Sequence, residues 1–142
     1  AILWYLAERH PAAGLLGDGT ARGRAELMRW LGLLNSDVHP AFKPVFGPGR
    51  FHPDAAAAGV LADTARAQVR KHLERLDDRL RGRDWLVDRR SIADPYLFVM
   101  TRWTRRLGID LQGLDNLSRF FERMQADPGV RAALTAEEGA PA

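Results

Sequence analysis

The 142-residue sequence has no cysteine. A disulfide framework, a thiolate metal site and a cysteine nucleophile are therefore excluded within this chain, and we expect a cytoplasmic protein. No apolar run approaches the roughly 20 residues that cross a bilayer. No basic region precedes the apolar opening at residues 1–6, so neither a membrane span nor a signal peptide is predicted.

Neither sign of charge dominates the sequence. The net charge is +3, and arginines alternate with acidic residues along the chain. Even the densest basic group, at residues 81–90, has aspartates between its arginines. This mixture indicates a solvated surface, and nucleic acid is not an expected partner. With 46% hydrophobic and 27% charged residues, the composition is that of one globular domain.

Apolar residues recur at helical spacing, and no strand pattern is present. Residues 1–8 are predicted to end a helix that stops before Pro11, and the glycine-rich residues 9–20 to form a linker. The sequence begins without Met and inside an apolar pattern, as a piece of a longer chain would.

Two long helices are predicted next, from residue 21 and over about residues 53–80. Each carries an apolar stripe at intervals of three and four. The stripes consist of Leu27, Leu31, Leu34 and Val38, and of Val69, Leu73, Leu76 and Leu80. Pro40 lacks an N–H and crowds the preceding turn, so a kink or helix end is expected between Ser36 and Pro44. Pro40 also disfavours helical geometry at His39, which turns that ring away from the stripe.

Ser91 and Asp94 form a predicted capping box at the start of a central helix. Ser91 can accept from the N–H of residue 94, and the Asp94 carboxylate can reach back to the N–H of residue 91. The helix then carries consecutive apolar residues at 97–100, which predicts burial on every side. The expected core residues are Leu97, Val99, Met100, Leu73, Leu76 and Leu31.

The C-terminal part predicts two more helices and a loose tail. The first is marked by Leu117, Phe120, Phe121 and Met124. The second starts at Asp127 and Pro128, an N-cap followed by proline at the first helical position, with Val130 and Leu134 facing inward. The tail covers residues 137–142.

Four stretches in this order resemble one known family. Residues 1–7 resemble the helix that follows the Glu-Ser glutathione-binding pair of glutathione S-transferases, and residues 91–103 resemble their capped central helix. Residues 35–46 are similar to the bacterial, beta-class branch, and residues 123–130 continue the match. The chain is thus identified as a member of that family, as its all-α C-terminal bundle over residues 21–136.

The resemblance implies a function for the whole subunit. A thioredoxin-like domain outside this chain would bind most of the glutathione, and this chain would wall the site for a small hydrophobic electrophile. Such an enzyme conjugates the activated thiol to the electrophile, a detoxifying reaction. A homodimer is implied, and the apolar stripes suggest that it is built partly from the helices at residues 21–38 and 53–80. The chain alone is expected to be inactive.

The resemblance also assigns site residues. His39 matches the histidine held near the glutathione thiol, and Ser36 and Asp37 match residues that reach the γ-glutamyl end of glutathione on the neighbouring subunit. Phe42 and Trp103 would line the electrophile site. Three positions depart from the family pattern: Asp37 is shorter than the usual Glu, Gly32 replaces an asparagine, and Pro40 replaces a lysine.

Other interpretations of the same residues stay open. Without the resemblance, His39 is more often a satisfied structural group and Trp103 a core residue. His10, His52 and His72 lack metal-ligand spacing, so no metal is expected. The alternative function is a non-catalytic helical domain of this family that serves protein assembly.

Overall fold

A computed structural model of the chain describes residues 1–139, and this range contains helices and no strand. The all-α prediction is confirmed. Residues 140–142 of the predicted tail lie outside the described residues. The helices are α1 (Ile2–Arg9), α2 (Ala21–Leu33), α3 (His39–Ala41), α4 (Lys43–Phe46), α5 (Ala55–Arg79), α6 (Ala93–Leu107), α7 (Asp115–Ala126) and α8 (Pro128–Glu138).

The segment around Pro40 changes helix type instead of stopping. A π-helical turn, Leu34–Val38, joins α2 to α3, and Pro40 falls in the first turn of α3. The π-helical turn accommodates the proline: the His39 N–H bonds to the Leu34 carbonyl five residues back, so the regular hydrogen-bond ladder is already interrupted just before Pro40, which has no N–H to donate. His39 is itself helical, with φ −58° and ψ −47°, so the expectation of a non-helical His39 is wrong.

The core is built from the predicted stripe of α5 and the inward faces of α6 and α7. Val69, Leu73, Leu76 and Leu80 are all fully buried, as the spacing predicts. The connector after α5 is also buried, at Leu86 and Val87. Because the four side chains of the stripe are buried within the chain, any subunit interface on α5 would use its other residues, and the expected dimer stays a prediction. Other buried members are Leu27, Leu34, Val38, Leu97, Met100, Leu117, Phe120 and Met124.

Helix α6 is central but not covered on every side. It packs against α2, the π-helical turn and α7, yet Val99 is 38% exposed. Four consecutive residues advance about 100° each, so one of them must point away from a helix that neighbours cover only in part. Leu31 is half-buried, at the edge of the core. The predicted burial of Leu97 and Met100 is confirmed, and that of Val99 is wrong.

The capping box forms with one changed bond. The Ser91 N–H donates to Asp94 Oδ2 at 2.7 Å, as predicted. The Ser91 hydroxyl oxygen, however, accepts from the Ala93 N–H at 3.3 Å and not from residue 94. Asp94 Oδ1 accepts a further bond from the Leu86 N–H at 3.0 Å. The hydrogen bonds to the Asp94 carboxylate lower its pKa, but desolvation by burial is the larger effect and raises the pKa above its ordinary value.

The predicted linker is ordered and attached to the core. The Leu15 carbonyl accepts from the Ile92 N–H at 3.1 Å, and Leu15 and Leu16 pack against the core. Thr20 ends the segment as the N-cap of α2, accepting from the Gly23 N–H at 3.0 Å. These contacts hold α1 beside α2 and the start of α6.

Candidate functional site

Among the described residues, the His39 side chain makes one hydrogen bond, to Tyr96 on α6. Its Nδ1 lies 2.8 Å from the Tyr96 hydroxyl oxygen. Tyr96 lies in the first turns of α6, where the buried carboxylate of Asp94 fixes the start of the helix. Desolvation raises the pKa of the Tyr96 phenol, so this hydroxyl keeps its proton at neutral pH.

The other ring nitrogen of His39, Nε2, makes no hydrogen bond within the part of the chain that the structure describes. In that same part, no buried side-chain nitrogen or oxygen lacks a partner. Nε2 is therefore accessible, although the ring is half-buried. The arrangement leaves one nitrogen free to meet a group from outside this chain.

An aromatic cluster surrounds the same histidine. The half-buried Trp103 ring lies 5.0 Å from the His39 ring, 5.3 Å from Phe42 and 5.1 Å from Phe46, centroid to centroid. All three contacts are edge-to-face, the favoured geometry of such pairs. Trp103 is thus both a packing residue and part of the surface beside His39.

Phe42 and Phe46 occupy different positions in this cluster. Phe42 is fully buried beneath Trp103, with 0% of its surface exposed, so its side chain does not line an open site. This corrects its expected position. Phe46, which sequence reasoning did not select, is 53% exposed. The spacing of four residues put both on one helical face, but only tertiary packing decides which is covered.

Ser36 and Asp37 lie on the π-helical turn that leads into His39, and both are exposed. Neither side chain makes a hydrogen bond or ion pair to the described residues. They lie outside the aromatic cluster. Within the described residues, they are connected to the cluster only through the main chain that leads from the π-helical turn to His39.

A groove of about 1050 Å³ runs between α1, α2 and the start of α6. Its wall is mainly apolar and includes Ile2, Tyr5, Met28, Leu31 and Tyr96. Tyr96 therefore lies on the wall of the groove and is also hydrogen-bonded to His39. Sequence reasoning placed Tyr96 on α6 but assigned it no role, since nothing local indicates that it meets a residue so distant in the chain.

Residues 1–139 contain neither a metal-binding cluster nor a membrane-spanning helix. No group of three His, Asp or Glu side chains in this range could hold a metal ion. No helix there is both long enough and apolar enough to cross a membrane.

Comparison with known proteins identifies the family. The family model described as "Glutathione S-transferase, C-terminal domain" matches residues 38–128. The chain is 48% identical to "Glutathione S-transferase GST-4.5" of Xanthomonas campestris over 138 residues, which are 96% of this chain and 68% of that protein.

Solved structures agree with this match. A glutathione S-transferase from Xylella fastidiosa superposes with a TM-score of 0.92 at 46% identity, covering 96% of this chain and 68% of that one. A sphingomonad glutathione S-transferase complexed with glutathione has a TM-score of 0.81 at 36% identity, covering 98% and 66%. The chain thus spans about two thirds of each relative's length. It belongs to the glutathione S-transferase family of transferases and consists mainly of the C-terminal helical domain.

Proposed function

We propose that this chain is the helical half of a cytoplasmic glutathione transferase that conjugates glutathione to small hydrophobic electrophiles. A preceding thioredoxin-like domain would supply most of the glutathione site. The observation that carries the proposal is the His39 Nε2, which has no hydrogen-bond partner among the described residues, beside the partly exposed rings of Trp103 and Phe46. A hydrogen-bond donor at His39 would stabilise the glutathione thiolate, and the aromatic surface beside it would bind an apolar substrate.

The role of His39 follows from the chemistry of thiols. A thiol with a pKa near about 8.5 is mostly protonated at neutral pH, whereas only the thiolate attacks well. An Nε2–H donor that bonds the thiolate favours ionisation, and a bond to a charged acceptor is worth about 1.5–3 kcal/mol. That range corresponds to about one to two pKa units of the thiol. The thiol proton leaves to solvent, and the thiolate sulfur then forms a bond to the electrophilic carbon. A substituent on that carbon leaves as an anion with its bonding electron pair, or, where the carbon belongs to an activated double bond, the π electron pair takes up a proton from solvent.

Trp103 and Phe46 provide the surface for the electrophile. Their rings pack edge to face, and the exposed Phe46 ring and half-buried Trp103 ring offer apolar area without moving the core. Burying an apolar substrate against such rings is favourable by roughly 25 cal/mol per Å² of area removed from water. Phe42 supports Trp103 from beneath.

Ser36 and Asp37 are proposed to contact glutathione held by a second subunit of a homodimer. Both side chains are exposed and make no polar contact within the described residues, so they are free to bond an outside group. Exposed apolar residues on α2 and α5, Met28 and Val60, lie outside the core and could be covered by a partner.

The experiment is a pH–rate profile of the full-length subunit with and without His39→Ala. We expect kcat/KM near neutral pH to fall by about ten- to a hundredfold, with the thiol ionisation moved to higher pH. His52→Ala, a histidine on an exposed loop, is the matched control. Thermal melts of all three proteins separate loss of chemistry from loss of fold.

Two results would contradict the proposal. An unmoved profile with full turnover in His39→Ala would remove the catalytic role. A folded full-length subunit that neither binds glutathione nor conjugates it would leave the non-catalytic assembly domain as the better interpretation.

A further inference from the structure

Tyr96 makes the hydrogen bond that fixes the His39 ring. The Oη–Nδ1 distance is 2.8 Å, and the two rings meet at 5.8 Å and 68°. On another side, the Trp103 ring lies at 5.0 Å and 70°. The imidazole is therefore held between two residues of α6 and cannot rotate without breaking the bond to the phenol.

We propose that Tyr96 is a positioning residue: its hydroxyl donates to Nδ1, so the proton of the neutral His39 ring resides on Nε2. This inference rests on the proposed function and names the group that prepares its hydrogen-bond donor. A neutral imidazole carries one N–H and one bare nitrogen, and the bond made by one nitrogen decides the state of the other.

The direction of the bond follows from the chemistry of the two groups. An imidazole nitrogen lone pair is a strong acceptor, whereas the phenol oxygen shares its lone pair with the ring and is the better donor. Desolvation raises the pKa of the Tyr96 phenol, which keeps the donated proton on oxygen. The described residues offer this hydroxyl no other hydrogen-bond partner.

The reverse arrangement would oppose the reaction. If the His39 Nδ1–H donated to the phenol oxygen, Nε2 would present a lone pair toward an arriving thiolate. Two electron-rich atoms would then face each other, and the thiol would be held protonated. The Tyr96 hydroxyl thus selects the tautomer that can stabilise the thiolate.

The test uses Tyr96→Phe, which keeps the aromatic ring and removes only the hydroxyl. The first readout is the nitrogen-15 spectrum of the His39 ring in the full-length subunit without glutathione, above the pH at which the ring is protonated. We expect a protonated Nε2 and a bare Nδ1 in the native protein. In the variant, both signals should move toward intermediate positions because the two tautomers exchange.

The second readout is kinetic. Tyr96→Phe should lower kcat by about three- to tenfold, the loss expected for one hydrogen bond, while KM for glutathione stays nearly constant. Tyr5→Phe is the control, since Tyr5 is the other tyrosine of the groove wall and does not bond His39. If the thermal melt of Tyr96→Phe matches that of the native subunit, a loss of fold does not explain the lower kcat.

The two proposals fail in different ways. A native spectrum with the proton on Nδ1, or a Tyr96→Phe spectrum equal to native, would overturn the positioning role whatever the activity. If the spectra change as expected but neither His39→Ala nor Tyr96→Phe alters the rate, the positioning by Tyr96 stands and the catalytic role of His39 falls.

Discussion

The carboxylate of Asp77 on α5 caps the N-terminus of α7. Its Oδ1 accepts from the Leu117 N–H at 2.8 Å, and its Oδ2 accepts from the Asn116 side-chain amide at 2.7 Å. The residue that precedes α7, Leu114, provides no side-chain cap of its own. The N-terminus of α7 has no cap from its own sequence, and the carboxylate of Asp77, forty residues before Leu117, satisfies it.

Replacement of Asp77 should therefore destabilise α7. Asp77→Ala leaves a buried N–H without an acceptor, which costs about 1–3 kcal/mol of unfolding free energy. Asp78→Ala is the control, because Asp78 is exposed and pairs only with the exposed Arg81. Urea unfolding measures both. Equal midpoints for the two variants would mean that the cap contributes nothing to stability.

The two members of the capping box should differ in importance. Asp94→Ala removes the acceptor of the Leu86 N–H, the Ser91 N–H and the Ser91 hydroxyl, so we expect a loss of about 2–4 kcal/mol. Ser91→Ala removes the hydroxyl that accepts from the Ala93 N–H at 3.3 Å and donates to Asp94 Oδ2 at 3.1 Å. Asp94 keeps both of its backbone N–H donors, so a loss of about 1 kcal/mol is expected. Denaturant midpoints rank the two. A larger loss in Ser91→Ala would contradict this order.

Substitution of the two phenylalanines beside Trp103 should have different effects: one should lower stability and the other should weaken substrate binding. Phe42→Ala empties a fully buried site and should cost about 3–5 kcal/mol. Phe46→Ala removes a half-exposed ring, so stability should change little while KM for a hydrophobic electrophile rises in the full-length subunit. Melts and steady-state kinetics test the pair. An unchanged KM in Phe46→Ala would exclude Phe46 from the substrate surface.

Stability should depend on pH through Asp127. Arg90 donates to Asp127 Oδ2 at 2.6 Å, and this bond lowers the carboxyl pKa below its ordinary value. The pKa of this carboxyl is about 3.9 in the unfolded chain and lower in the folded protein. Between these two values the unfolded chain binds more protons than the folded protein. The stabilisation by this group is therefore present above the window and is lost as the pH falls through it.

Asp127→Asn isolates this effect because asparagine can still cap α8 through its oxygen. We expect the gap in urea midpoint between native and variant to be constant near neutral pH and to shrink below about pH 4. Asp54→Asn is the control, since Asp54 caps α5 at 2.8 Å without an arginine partner. The same pH response in both variants would contradict a role for Arg90.

Local sequence determined the helices and most of the core. The spacing of Val69, Leu73, Leu76 and Leu80 fixes which face of α5 is buried, because apolar residues three and four apart must share one side of a helix. Asp127 and Pro128 likewise fix the start of α8, since an N-cap and a proline in the first turn act within a few residues of each other. The order of the matching stretches identified the family.

Only the tertiary structure decided which of these residues meet. His39 and Tyr96 are 57 positions apart, and no periodicity relates residues on separate helices. Phe42 and Phe46 share a helical face, yet Phe42 is fully buried under Trp103 and Phe46 is half exposed. The difference arises because the packing of α6 sets where the core ends. The sequence thus selected His39 and Trp103 as candidates but neither Tyr96 nor Phe46, and it gave no geometry for the four side chains. Local pattern governs helix formation, whereas contacts between helices depend on how all of their faces fit at once.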